Sequence, residues 1–121
     1  MAILVVIDDL LFRSKIETSA AAAGVKVYWA VGPKEVMRAL TGSWETAIVD
    51  LSAASTHPVE SVRALRKTFP DLPIIGYCSH VQTSLQQQAK AAGASAVWPR
   101  SVFVENLPDL LNGRMPKAGA I

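Results

Sequence analysis

Residues 2–9 read AILVVIDD, six consecutive apolar positions closed by two carboxylates. Four more short runs share that character: Val25–Ala30, Thr46–Val49 ending at Asp50, Pro73–Cys78, and Ser95–Trp98. Most are apolar at consecutive positions, not alternating ones. Such strands are buried on both faces, as in a parallel sheet covered by helices.

Between the runs the period changes. Phe12, Ile16, Ala20 and Ala23 fall on one side of a helix, and Gly24 supplies its stop. Pro33 suits a first helical position, with Val36, Met37 and Leu40 following on one side. Pro58 opens a third stretch whose face is Val59, Val62, Leu65 and Phe69, and Pro70 ends it. Ser79 and Gln82 have capping-box spacing ahead of Val81, Leu85, Ala89 and Ala92. Val104, Leu107 and Leu111 form the last stripe. The order is β-α repeated five times, which predicts a doubly wound α/β sandwich with right-handed crossovers.

The 121 residues suit one domain, and a core of that size needs no disulfide or metal staple. Hydrophobic residues make up 50%, which excludes a disordered chain. The apolar runs are too short to span a bilayer, and no basic segment precedes the first one. One cysteine excludes an intramolecular disulfide and fits a reducing compartment, so a cytoplasmic location is expected. A net charge of +2 is too small to argue for nucleic acid. Arg63, Arg66 and Lys67 read as a solvated basic face. Residues 113–121 have no period and are expected to form a disordered tail, leaving 1–112 as the domain.

Open sheets of this type place function outside the carboxyl ends of their strands. The residues there are Asp8 and Asp9 after strand 1, Asp50 after strand 3, Cys78 and Ser79 after strand 4, and Arg100 and Ser101 after strand 5. This order, with VVIDDLLFR, TAIVDL, PIIGYCS and GASAVWPRS at their spacings, resembles the receiver domain of two-component response regulators. The resemblance covers about Ala2 to Asn112. It implies a flavodoxin-like five-stranded parallel sheet, order 2-1-3-4-5, with five helices.

In that family two acids after strand 1 and an acceptor Asp after strand 3 hold a divalent cation through oxygens. A Thr or Ser after strand 4 and a Lys after strand 5 complete a clamp on the phosphoryl group. The resemblance puts the acceptor on Asp50, the Thr or Ser on Cys78, and the Lys on Arg100; 28 and 22 residues separate the three. An ungapped alignment through Arg13 and Gly24 puts the first acid on Ile7 and the second on Asp8, with Asp9 next. A slip by one residue restores the pair as Asp8–Asp9 but needs an insertion in strand 1. The switch aromatic falls on Val97.

The acceptor position is thus kept while much around it has changed. Asp8, Asp9 and Asp50 remain as a weak or vestigial Mg²⁺ site, with the Ser52 carbonyl as a further ligand. Equally, Asp8 and Asp9 suit a helix N-terminus. Asp50 is read either as a phosphoacceptor or as an inherited acid paired to Arg100. Cys78 is read as a small buried hydrophobe rather than a redox sensor, and His57 and His80 as loop or cap residues. Trp98, Val102 and Phe103 either fill the core or form a docking edge, with Gln86 on the neighbouring polar face of helix 4. The expected function is a stand-alone atypical receiver acting through a protein partner, a histidine kinase or a downstream signalling protein. It would be a monomer or a weak homodimer through helix 4, strand 5 and helix 5, with no enzymatic activity and no cofactor beyond Mg²⁺. The alternative is a phosphorylatable single-domain regulator.

Overall fold

A computed structural model describes residues 2–79 and 81–113. His80 and the expected tail residues 114–121 lie outside the described residues. Five strands alternate with five helices: β1 Ala2–Val6, α1 Leu10–Ala23, β2 Lys26–Ala30, α2 Pro33–Ala39, β3 Thr46–Asp50, α3 Pro58–Thr68, β4 Ile74–Cys78, α4 Thr83–Ala92, β5 Ala96–Pro99 and α5 Arg100–Leu111. All strand pairs are parallel, in the order β2-β1-β3-β4-β5. This is the doubly wound order that the sequence resemblance implies.

Every residue of β3 and β4 is buried, which is why these runs are apolar at consecutive positions. Alternation along each strand then sorts the core into two layers. Ile3, Val5, Ile7, Ile48, Ile75, Tyr77 and Trp98 pack with α1 and α5. Leu4, Val6, Ala47, Val49, Ile74, Cys78 and Val97 pack with α2, α3 and α4. Burying each large aliphatic side chain contributes ~1.5–3 kcal/mol.

Local signals fix the helix ends. Asp9 caps α1, its Oδ1 accepting from the Leu11 and Phe12 amides at 3.0 and 3.2 Å. Gly24 closes α1 in the left-handed conformation, φ 70°. Pro33 and Pro58 stand at the first turns of α2 and α3, and His57 is the residue that caps α3. Three stripes depart from expectation. Met37 and Val81 are exposed, and the face of α5 is set by Phe103, Leu107, Leu110 and Leu111, with Val104 only half-buried.

Arg66 is not part of a solvated basic face. Its guanidinium donates to the carbonyls of Gly93 (2.9 Å), Phe69 (3.1 Å) and Pro70 (2.8 Å) and to Ser95 Oγ (3.0 Å). Gly93 makes this possible, because a Cβ there would lie 2.6 Å from Arg66 Cγ.

Candidate functional site

The carboxyl ends of β3, β4 and β5 open onto a cleft of about 320 Å³ lined by Ser52, Ser79, Pro99, Arg100 and Ser101. Asp50, the last residue of β3, is buried beside it. Alternation from Ile48 turns its side chain toward the α1–α5 layer. Its Oδ1 accepts the Ser52 amide at 2.9 Å. Burial pushes the Asp50 carboxyl up in pKa; the Ser52 amide and the Arg100 charge pull it back, while Asp8 and Asp9 add to the rise.

Continuing the β1–β3 register beyond Val6↔Val49 sets Ile7 beside Asp50. Ile7 has no exposed surface and packs in the α1–α5 layer. That placement agrees with the ungapped alignment, in which a hydrophobe stands at the first acid position. Each of the next two carboxylates has its own partner. Asp8 is exposed and accepts from Ser55 Oγ at 2.6 Å. Asp9 caps α1 through the two amides already described.

Among the described residues, no three His, Cys, Asp or Glu side chains come together as a metal-ligand set. Asp8 and Asp9 lie close enough to Asp50 for their charges to act on it, while the Asp9 carboxylate caps α1 and the Asp8 carboxylate accepts from Ser55. The Ser52 carbonyl is also engaged, accepting from the Ala54 amide at 3.0 Å. An octahedral Mg²⁺ ion demands closely converging oxygens, which these three carboxylates do not present as they stand.

The expected Asp50–Arg100 ion pair is not formed either. Arg100 opens α5, and its guanidinium lies 5.2 Å from the Phe12 ring centre and 5.9 Å from that of Tyr77. Such stacking is worth ~0.5–1 kcal/mol at an exposed site. The cation acts on Asp50 only through space.

Cys78 lies in the α2–α3–α4 layer with no exposed surface, and burial pushes its thiol up in pKa. That is the environment of an inert core cysteine. Gln86, expected on a surface, is buried instead: its amide donates to the Ser79 carbonyl at 3.2 Å and its side chain meets the Cys78 thiol. One turn earlier, Gln82 Oε1 accepts from both the Ser79 amide and Ser52 Oγ at 3.1 Å. Gln82 thereby ties the end of β4 to the loop after β3, and Gln86 ties it to α4.

The proposed docking edge is corrected in the same way. Trp98 and Phe103 belong to the core, with 1% and 0% of their surface exposed, and Val102 is half-buried against them. The surface of α4 includes Gln87 and Gln88, which are exposed, but not Gln86.

Sequence reasoning missed Tyr77. It is the register partner of Asp50, and its ring stacks on Phe103 at 4.4 Å and 14°. The Tyr77 hydroxyl and Trp98 Nε1 are buried without a hydrogen-bond partner. An orphaned buried polar group costs ~1–3 kcal/mol. The signal was an aromatic residue in an otherwise aliphatic run, two strand positions beyond Ile75 on the face that Asp50 shares.

A parallel sheet of this order, with its cleft at the β3–β4–β5 ends and an aspartate closing β3, defines the class of CheY-like receiver folds. No family model matches the sequence, and no curated protein matches it. Solved structures match in shape. The chemotaxis protein CheY4 of Vibrio cholerae gives a TM-score of 0.78 at 22% identity, covering 94% of this chain and 98% of that one. The receiver domain of the Francisella response regulator 1452 gives 0.76 at 19%, covering 92% and 93%. A Burkholderia pseudomallei response regulator, solved with a phosphorylated aspartic acid and a calcium ion, gives 0.75 at 22%, covering 91% and 65%. The chain has the receiver fold.

Proposed function

We propose that the chain is an atypical receiver. It acts in signal transduction by binding a protein partner, with phosphorylation of Asp50 absent or weakly coupled to that binding. One observation carries the reading: the three carboxylates that would share a cation are each held separately, by helix capping, by Ser55, and by burial with the Ser52 amide. The changed positions agree with it. Ile7 adds no ligand, Cys78 no hydroxyl, and Val97 no switch aromatic, while Arg100 stacks on Phe12 instead of reaching Asp50. The partner is a kinase or a downstream protein, met by the outer faces of the domain, and not nucleic acid. Among the described residues no helix is long and apolar enough to cross a membrane.

A Mg²⁺ titration with and without beryllofluoride, followed by amide NMR, tests this. The expected result is no saturable shift at Asp8, Asp9 or Asp50. A saturable response spreading to Trp98 overturns the reading.

A second reading is favoured by the cleft itself. Ser52, Ser79, Arg100 and Ser101 surround a space next to Asp50 that suits a phosphoryl group. The Burkholderia neighbour carries a phosphorylated aspartate. On this reading the chain is a phosphorylatable single-domain regulator. Acetyl phosphate should then label the protein, and Asp50→Asn should abolish the label.

A further inference from the structure

We propose that Tyr77 is a positioning residue for Asp50, its phenol hydroxyl donating to the buried carboxylate and holding it within the α1–α5 layer. The inference rests on the atypical-receiver reading and deepens it, because it names what occupies Asp50 in the absence of a phosphoryl group.

Tyr77 and Asp50 are Cα partners on neighbouring parallel strands, so their side chains leave the sheet on one face. The Tyr77 ring is fixed. It stacks on Phe103, leans on Phe12 at 5.1 Å, and is roofed by Arg100. Its hydroxyl has no exposed surface and no completed hydrogen bond. A hydroxyl in that state is drawn to an acceptor within reach. Asp50 is such an acceptor: it stands opposite Tyr77 in the register, Ser52 takes only its Oδ1, and its negative charge acts on the Tyr77 phenol.

Cys78 does not compete, since it faces the opposite layer, where Gln86 meets its thiol. A hydroxyl therefore reaches Asp50 from β4, but from the position before the one where receivers carry it and from the other side of the sheet.

Tyr77→Phe keeps the ring and its stacking and removes only the donor. With ¹³C-labelled carboxyl groups, the Asp50 Cγ resonance should move in Tyr77→Phe. With ¹³C-labelled tyrosine, the Tyr77 Cζ resonance should move in Asp50→Ala. In a double-mutant cycle the two folding equilibrium constants should fail to multiply by roughly tenfold. Unmoved resonances together with a multiplicative cycle overturn the proposal. Should Asp50→Ala not fold, Asp50→Asn replaces it in both measurements, because it removes the charged acceptor. Neither readout uses Mg²⁺ or a phosphoryl donor. A protein that proves phosphorylatable therefore leaves this test intact, and a failure here leaves the atypical-receiver reading intact.

Discussion

The two flanks of Asp50 treat their polar groups in opposite ways. On the β1 side, Asp8 and Asp9 lie at or near the surface, each with its own donor. On the β4–β5 side, Tyr77 and Trp98 carry polar atoms into the core and leave them without partners. The β1 flank satisfies its carboxylates locally. The β4–β5 flank has gained aromatic bulk and kept unsatisfied donors. The contrast is between carboxylates that each meet a local donor and aromatic donors that packing buries without an acceptor.

The strongest way to break the contrast is Ile7→Asp, which restores a carboxylate to the β1 flank. In chelator it should lower stability by ~3 kcal/mol or more, because the acid enters a fully buried apolar position. Urea denaturation measures this. A variant rescued by Mg²⁺ would show that the flank still converges.

Asp50→Asn probes the residue between the flanks. Because burial raises the Asp50 carboxyl above its unfolded value, the folded state holds the proton more tightly. Its contribution to stability is full below the unfolded pKa and is lost as pH rises through the folded one. The variant should therefore be more stable than the parent at neutral pH, with the difference vanishing in acid. Denaturation at several pH values measures this; a difference that instead grows toward acid breaks the account.

Asp9→Ala should cost ~1 kcal/mol through loss of the cap, with faster amide exchange confined to the first turn of α1. A loss spread to Asp50 would mean that Asp9 serves the cleft. Smallest is Ser55→Ala, which frees the exposed Asp8 and should change stability by no more than ~0.5 kcal/mol. A measurable gain in Mg²⁺ affinity in that variant would show that Ser55 alone keeps Asp8 from the cleft.

The sequence made the strands legible because parallel strands buried on both faces leave a dense signature: each run lies within one residue of its strand ends. Asp50, Cys78 and Arg100 were found in the same way, as the polar interruptions at strand ends. What escaped needed partners distant in sequence. Gln86 sits in a run of three glutamines that reads as solvated, and only the end of β4 shows why one of them is buried. Arg66 looks like surface charge until the chain returns at Gly93, 27 residues later, to offer a carbonyl. Tyr77 becomes a site residue only once register sets it beside Asp50. The apparent Asp50–Arg100 pair failed for a related reason: aromatic rings from α1 and β4 compete for the guanidinium.

The ends of the sheet have a bearing on self-assembly. Its edges are β2, which opens on the exposed Lys26, and β5, which is four residues long and closes on Pro99. A charged lysine and a residue without an amide hydrogen are both poor templates for an incoming strand. At high concentration the protein should resist edge-to-edge polymerisation into β-rich aggregates, and replacing Pro99 would weaken that protection at one edge alone.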